Sequence, residues 1–489
     1  MAKRASSFEL ALDHRPQQMT IARWLYDQLR RAILDQRLRP GTRLPATRDF
    51  AHQYGVSRGT VVTVFERLQD EGYFCGRPGA GTRVTELPSK NLPRNARPRV
   101  QIKELPEAVR GLPSSQPPLP FRPYEPALAE FPTEIWARLA GSRMRRASTS
   151  LLAACDVRGY QPLRVAISAY LGSSRGVNCS PDQIVIVSGI QQALDLLARL
   201  FIRPGETVWM EDPGYFGALA AFRNAGARIV PVPVDECGIE VSTGQKLCNR
   251  AKLAYVTPAH QFPLCVTMTL ERRLALLAWA RRTGALIIED DYDSEYRFAG
   301  QPVPALQGLD KRGSVIFLGS FNKILFPSLR LGYAVLPPAL LVPLLNLRRG
   351  ADFYPSIVNQ AILSDFVIEG HLARHIRRMR GIYANRLGAL QDAAQVYLKG
   401  LLEISPIRAG LNTAGFLRNG MTSRHAETAA ADGGVEVLGF HRFTVGKKNL
   451  NGLLVGFAAF SEREIKRGAI ALATALERRS VAAPRLDAD

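Results

Sequence analysis

The stretch GSFNKILFPSLRLGY, residues 319–333, decides the fold of this chain. It starts at the end of one short apolar run, SVIFLGS, and finishes inside a second, LGYAVLP, and both runs are typical of buried strands. Ser320, Lys323 and Arg330 stand between them. Because open α/β sheets bind ligands outside the ends of their strands, we expect a sheet here with a ligand site at its edge.

Similar runs recur through the C-terminal part of the chain. They are QIVIVSG, TVWMED, ARIVPVPV, LAYVTP and GALIIEDD, and amphipathic segments such as QQALDLLARLF and ERRLALLAWARR lie between them. Short strands that alternate with helices predict an α/β fold with a largely parallel sheet, which we assign to residues 121–480.

The N-terminal residues 18–86 follow a different pattern, that of a winged helix-turn-helix. A first helix is ended by RLRPGTRLP, and a short helix at about 46–54 is ended by Gly55. Ser57 can cap the next helix, and YFCGRPGAGTRV predicts a hairpin, or wing. The apolar residues at helical spacing are Ile21, Leu25, Leu29 and Ile33 in the first helix, and Val61, Val64, Phe65 and Leu68 in the third.

Residues 87–120 are rich in Pro, Ser and basic side chains, which predicts an extended, semi-rigid linker between the two domains. The whole chain of 489 residues carries a formal net charge of +21. Residues 1–110 hold 20 Lys and Arg against 11 Asp and Glu, so the positive charge is densest at the N-terminus. This favours a nucleic-acid partner there, although a basic chain can also simply be a soluble one.

The composition also argues against several classes of protein. We find no apolar run long enough for a membrane helix and no secretory signal, so we expect a cytoplasmic protein without a membrane partner. Six cysteines are scattered without a CxxC pair. They predict reduced thiols and no metal site, zinc included.

The expected recognition helix places its first residues at the bases of double-stranded DNA. Ser57, Arg58, Gly59 and Thr60 are therefore predicted to face the bases, and Arg43 and Arg48 to hold phosphates. On the wing, the candidates for the minor groove are Arg77, Gly79, Gly81 and Arg83. Any one of these arginines alone fits a solvated surface, whereas the set, with the helix spacing and the wing, favours DNA binding.

Pyridoxal 5′-phosphate (PLP) needs a lysine amine, an acid at the pyridine nitrogen, an anion cradle for its phosphate and an aromatic ring over its own. Residues of each type follow the predicted strands. They are Lys323 for the amine, Asp290 and Tyr292 for the ring atoms, Ser320, Arg330 and the helix start at Gly189, Ile190 and Gln191 for the phosphate, and Tyr215 for stacking. Each residue alone has an ordinary structural explanation, but so many at strand ends favour a cofactor site.

Three segments closely resemble the winged helix of GntR-type repressors: RLRPGTRLPATRDFA, YGVSRGTVVTVFERLQDEGY and GAGTRV. Residues 120–475 resemble a fold-type I aminotransferase, notably in VWMEDPGYFGA, IIEDDYDSEYRF and GSFNKILFPSLRLGY. Their fusion resembles the MocR/GabR subfamily. The resemblance implies a head-to-tail homodimer, Lys323 as the Schiff-base lysine, Asp290 at the pyridine nitrogen, Tyr292 at the ring hydroxyl, Tyr215 stacked, Ser320 and Arg330 at the phosphate, and DNA contacts by Arg48, Ser57, Arg58, Thr60 and Gly81.

Several positions depart from the aminotransferase pattern. Asn322 stands where a serine usually precedes the lysine, Phe262 replaces a ring-contacting asparagine, and Asn412 stands where a histidine is frequent. Pro263-Leu264-Cys265 replaces the usual Pro-Ser/Thr-Gly, and CDVRGY the common GDPAGY. The segment LLVGFAAF lacks the arginine that holds a substrate carboxylate, which leaves Arg408 and Arg442 as candidates.

Three functions are consistent with these features. The first is a sequence-specific transcription regulator that senses PLP, an amine or an amino acid through an aminotransferase-like domain. The second is a working aminotransferase with an accessory DNA-binding domain, and the third a regulator with a degenerate, empty pocket. The intact DNA-binding unit disfavours the second, and the presence of Lys323 and Asp290 disfavours the third.

Overall fold

A computed structural model describes residues 8–16, 18–77, 81–86, 117–153, 155–300, 303–418, 420–446 and 450–482. These residues form two compact units, one on each side of the gap at 87–116. Most of the predicted linker, together with Gly79 on the predicted wing, lies outside the described residues.

The first unit packs three helices against a hairpin. Its elements are α1 (Ile21–Leu34), α2 (Thr47–Tyr54), α3 (Arg58–Asp70), β1 (Phe74–Arg77) and β2 (Gly81–Val84). The predicted apolar stripes form its core, except that Ile21, at the start of α1, is 41% exposed. Gly55 ends α2 in the left-handed conformation, with φ of +64°. Leu10 adds a buried side chain to this core that the sequence did not point to.

The second unit is built on an eight-stranded sheet in the order β3-β10-β9-β8-β7-β4-β5-β6. The strands are β3 (Ile184–Val187), β4 (Thr207–Asp212), β5 (Arg228–Asp235), β6 (Gly238–Ile239), β7 (Leu253–Val256), β8 (Leu286–Asp291), β9 (Val315–Ser320) and β10 (Gly332–Val335). Neighbouring strands from β9 to β5 run parallel, while β10 lies antiparallel to both of its neighbours. This confirms the predicted α/β fold and its largely parallel sheet.

Helices cover both faces of this sheet, which explains why its strands are apolar throughout. The helices of this part of the chain are α4 (Thr133–Arg145), α5 (Thr149–Leu152), α6 (Gln161–Arg175), α7 (Ile190–Phe201), α8 (Phe216–Asn224), α9 (Val241–Cys248), α10 (Leu270–Thr283), α11 (Leu306–Leu309) and α12 (Pro338–Arg349). Helices α7, α8 and α12 pack on one face, and α9 and α10 on the other. On that second face, Trp209 of β4 stacks on Trp279 of α10 with ring centres 3.9 Å apart.

A second, antiparallel sheet of four strands follows in the chain, in the order β11-β12-β14-β13, and sequence analysis did not identify it. Its strands are β11 (Leu402–Ile404), β12 (Asn412–Leu417), β13 (Leu438–Gly439) and β14 (Gly452–Gly456). The helices of this region are α13 (Ile357–Ile368), α14 (His371–Tyr397), α15 (Ser423–Asp432) and α16 (Glu462–Ala482). Short strands with little polar alternation carry a weak sequence signal, which explains the omission.

The end of the predicted linker is bound to this second unit. The Leu119 N–H donates a hydrogen bond to the Glu436 carboxylate, and the Pro120 carbonyl accepts one from the Glu436 N–H. Across the described parts of the chain, no helix has both the length and the apolar character needed to span a bilayer. Nor do the described His, Cys, Asp and Glu side chains form a group of three or more suited to a metal ion. All six cysteines are free thiols.

Candidate functional site

The predicted base-contacting residues stand at the start of α3. Ser57 is the N-cap of that helix, and its Oγ accepts a hydrogen bond of 3.1 Å from the Thr60 N–H. Arg58, the first helical residue, is exposed, as is Arg48 on α2. The cap therefore defines where the helix starts and leaves the Arg58 side chain open to a partner.

Of the predicted phosphate and wing residues that the structure describes, Arg43, Arg77 and Gly81 belong to the hairpin or lie beside it. Gly81 opens β2 with φ of +82°, a conformation that favours glycine. A methyl group on Gly81 would lie 3.0 Å from Nε of Arg43, so this guanidinium packs over the glycine. Arg77 is the last residue of β1, while Gly79 is outside the described residues.

All nine residues predicted to hold PLP line one cavity of about 270 Å³ in the second unit. They come from the ends of β3, β8 and β9, from the starts of α7 and α8, and, for Arg330, from the segment just before β10, so the sheet brings them to one edge. The further lining residues, which sequence analysis did not assign to the cofactor, are Tyr124, Phe216, Tyr255, Thr257, Phe262, Asn322 and Pro327.

Lys323 lies in this cavity just beyond the end of β9. Its Nζ donates a hydrogen bond of 2.9 Å to the main-chain carbonyl of Tyr124 and lies 5.1 Å from the centre of the Tyr124 ring. Burial lowers the pKa of Lys323 to about 8, because the charged amine loses its water. The amine is therefore nearer to its neutral, nucleophilic form at physiological pH than an exposed lysine would be.

Asp290 is the last residue but one of β8 and lies at the same edge of the sheet. Its Oδ2 accepts a hydrogen bond of 2.6 Å from the Tyr255 hydroxyl, while its Oδ1 is buried without a partner among the described residues. Burial raises the pKa of Asp290 to about 7. A buried carboxylate oxygen without a partner is costly, so this atom is suited to a ligand that brings a positive N–H. Tyr255 reads in the sequence as an ordinary strand residue, and only its partner shows its role.

The predicted phosphate cradle surrounds the start of α7. Gly189 caps this helix with φ of +127°, and a methyl group there would lie 3.3 Å from Nδ2 of Asn322 and 3.9 Å from Cζ of Arg330. Arg330 itself is left-handed, with φ of +51°. Because the first N–H groups of a helix have no partner within it, an anion can bind here beside the guanidinium. The Gln191 side chain donates instead to the Gly217 carbonyl, at 3.0 Å.

Two tyrosines complete the cavity. Tyr215 is the N-cap of α8, and its ring packs edge-on against Phe262 with centres 5.7 Å apart. The Tyr292 hydroxyl lies 3.2 Å from Nδ1 of His260, which also lies 3.0 Å from both oxygens of Asp293. Burial opposes a charge on His260, but Asp293 outweighs it and raises the pKa of the imidazole well above its usual value. Sequence analysis missed this pair, which spacing alone does not reveal.

Neither candidate for a carboxylate-binding arginine lines this cavity. Arg442 donates to the Glu427 carboxylate at 2.7 Å. Arg408 lines a separate cavity of about 670 Å³. Lys323 and Arg330 are the cationic residues among the described lining of the first cavity, and both already have predicted roles with PLP.

Comparison with known proteins identifies relatives of both units. Residues 21–84 match the gntR family of bacterial regulatory proteins, and residues 129–400 match the class I and II aminotransferases. The chain is 39% identical to the probable rhizopine catabolism regulatory protein MocR of Rhizobium meliloti, over 95% of both chains. It is 30% identical to the pyridoxine biosynthesis transcriptional regulator PdxR of Corynebacterium glutamicum, over 90% of this chain and 93% of PdxR.

Solved structures resemble the second unit. A kynurenine aminotransferase of Pyrococcus horikoshii, in complex with PMP, superposes with a TM-score of 0.69 at 29% identity. The match covers 76% of this chain and 92% of the aminotransferase.

Proposed function

The chain belongs to the MocR/GabR subfamily of GntR-type DNA-binding transcription regulators, and from this premise we propose that it holds PLP on Lys323 and uses it as a sensor. The observation that carries the proposal is the unpartnered Oδ1 of Asp290 in the same cavity as the Lys323 amine. A carboxylate at this position can bind the protonated pyridine nitrogen of PLP. No described side chain donates a hydrogen bond to its Oδ1 atom.

The residues of the cavity suit the rest of the cofactor as well. Arg330, Ser320 and the start of α7 would hold the phosphate, and the close packing around Gly189 supports this because a side chain there would crowd the cradle. Tyr292 would bond the ring hydroxyl and Tyr215 would cover the ring. Bound PLP would supply an aldehyde that condenses with a primary amine. Lys323, with its lowered pKa, is the amine of this chain placed to meet it.

We propose that the remaining assignments follow the same subfamily pattern. Residues 18–86 form the DNA-binding domain, 87–120 the linker and 121–480 the PLP-binding domain, in a cytoplasmic homodimer that binds an operator. The predicted contacts are Ser57, Arg58 and Thr60 on bases, Arg43 and Arg48 on phosphates, and Arg77, Gly79 and Gly81 on the wing. PLP itself, an amine or an amino acid is the effector, and the cavity serves sensing rather than transamination.

One pair of measurements tests this function. The visible absorbance of PLP on a protein amine should appear when PLP is added to the purified chain, and the affinity for operator DNA should then change. The operator affinity should be measured again on a variant in which the basic side chains of the linker, residues 87–120, are neutralised. A turnover assay with amino acids and 2-oxo acids separates the alternative, since sustained turnover would favour an aminotransferase.

A further inference from the structure

The second unit contains another cavity, of about 670 Å³, to which no role has been assigned. It lies between the large sheet and the small one, since its lining includes Val234 of β5 and Phe416 of β12. Its apolar lining also includes Leu264, Val266, Ile407 and Leu450. A cavity with such a lining is suited to the hydrocarbon part of a small molecule.

Two guanidinium groups converge on one side of this cavity. A methyl group on Gly300 would lie 3.9 Å from Nη1 of Arg297 and 3.9 Å from Nη1 of Arg408. Neither arginine forms a salt bridge with a described residue. Among the described residues, the Arg297 guanidinium donates two long hydrogen bonds, of 3.3 Å to Oγ1 of Thr267 and 3.4 Å to the Ala299 carbonyl. Burial, together with Arg175 and Arg408, lowers the pKa of Arg297.

The backbone holds this pair of arginines together. The Phe298 N–H donates a hydrogen bond of 3.0 Å to the Arg408 carbonyl, and Arg297 pairs with Ala409 in an isolated bridge. The main-chain positions that carry the two guanidinium groups are therefore fixed beside each other. Like charges on such neighbouring positions, with no salt-bridge partner among the described residues, favour binding of an anion, which would relieve their repulsion.

The acidic residues of the cavity restrict the charge of that anion. Asp235 is paired with Arg272 at 2.9 Å, so it is largely neutralised, whereas Glu236 is exposed on the same cavity. Two arginines against one free carboxylate leave a single net positive charge. A monoanion matches it better than a dianion does.

We propose that this cavity is a second ligand site, which binds an organic monocarboxylate through Arg297 and Arg408 and its hydrocarbon part on the apolar lining. The site is separate from the one proposed for PLP but shares a wall with it. Phe262 lines the first cavity, and Leu264, Cys265, Val266 and Thr267 of the same loop line the second. A carboxylate bound here can therefore influence the first cavity by holding this loop.

Calorimetric titration of the PLP-free protein tests the site, with hexanoate as the probe. Hexanoate should bind, whereas hexanamide, of the same shape but uncharged, and inorganic phosphate, which lacks a hydrocarbon part, should bind about tenfold more weakly or not at all. Arg408→Gln and Arg297→Gln should each weaken hexanoate about tenfold. Arg312→Gln, at an exposed position before β9, is the matched control and should change nothing.

Three results would overturn the site. They are no hexanoate binding up to about 10 mM, equal binding of hexanamide, or undiminished hexanoate binding by a folded Arg408→Gln variant. The Arg408 side chain is exposed, so this variant keeps the test valid if Arg297→Gln misfolds. The Lys323→Ala variant should bind hexanoate as tightly as the natural protein does, because Lys323 does not line this cavity. A failure of PLP binding can therefore be distinguished from a failure of the carboxylate site.

Discussion

The Nζ atom of Lys323 donates a hydrogen bond of 2.9 Å to the main-chain carbonyl of Tyr124. Tyr124 belongs to the segment that continues directly from the linker, and its own N–H donates to Oδ1 of Asn412 at 2.8 Å. The amine proposed to take up PLP is thus bonded to the chain segment that leads back to the DNA-binding unit. Condensation with PLP would leave the Lys323 nitrogen with at most one N–H, which would disturb this hydrogen bond. We therefore propose that the contact connects the ligand site to the linker.

The first prediction concerns this route. PLP should increase hydrogen exchange at the Tyr124 amide and change operator affinity, and operator DNA should change PLP affinity by the same factor, as linkage requires. Asn412→Ala, which frees the Tyr124 N–H, should weaken this coupling, while Asn224→Ala, at an exposed position, should not. If PLP alters neither operator affinity nor footprint nor DNA bending, the large domain is a dimerisation scaffold instead.

The second prediction concerns the attachment point. Lys323→Ala should abolish the visible absorbance that PLP acquires on the natural protein, because no other lysine lines the cavity among the described residues. Lys311→Ala removes an exposed lysine from the same unit and should leave the spectrum unchanged. Survival of the band in Lys323→Ala would assign PLP to another amine.

The third prediction concerns the pH dependence of stability without PLP. Folded Asp290 keeps its proton up to about pH 7, whereas the unfolded chain loses it near the usual value of 3.8. Its contribution to the free energy of unfolding is therefore full below about pH 4 and falls as pH rises toward 7, by at most about 1.4 kcal/mol per pH unit. Asp290→Asn cannot ionise, so urea unfolding should show it gaining stability over the natural protein across this range. A difference independent of pH would contradict the raised pKa.

The fourth prediction separates the two kinds of DNA contact. Arg58→Ala should cost about 1–3 kcal/mol on the operator and relax specificity at one position, because Arg58 begins α3, the helix proposed to read the bases. Arg48→Ala should weaken all sequences about equally and reduce the salt slope by about 1. Arg31→Ala, also exposed, serves as the control for lost charge. If both substitutions lowered DNA affinity equally and independently of sequence, Arg58 would not be a base-reading residue.

The fifth prediction concerns assembly. Light scattering should give a dimer at micromolar concentration, because two recognition helices on one particle bind two half-sites with higher affinity than one does. Deleting residues 1–116 should leave the dimer intact if the aminotransferase-like domains form it. A monomeric full-length chain would refute the dimer, and a monomeric deletion variant would move the interface to the N-terminal unit.

Much of the site was visible in the sequence because chemistry-bearing residues stand at the ends of strongly apolar strands. Lys323, Asp290 and Gly189 were all assigned from that position, and the fold brings them into one cavity. Tyr124 and Tyr255 were not assigned to the site from the sequence. Tyr124 lies far from Lys323 along the chain, and Tyr255 lies inside an ordinary strand. Their importance depends on a carbonyl and a hydroxyl whose directions no local pattern encodes.

The sequence by itself determined the two-unit organisation and the largely parallel sheet, and it pointed to Lys323 as the candidate lysine, because hydrophobic periodicity and turn residues act over short distances along the chain. Only the tertiary structure decided that the Lys323 amine contacts Tyr124, that one Asp290 oxygen has no partner among the described residues, and that Arg297 and Arg408 converge over Gly300. The physical reason is that each of these relations joins residues far apart in the sequence, whose distance and orientation are set by packing of the complete sheets rather than by local preference.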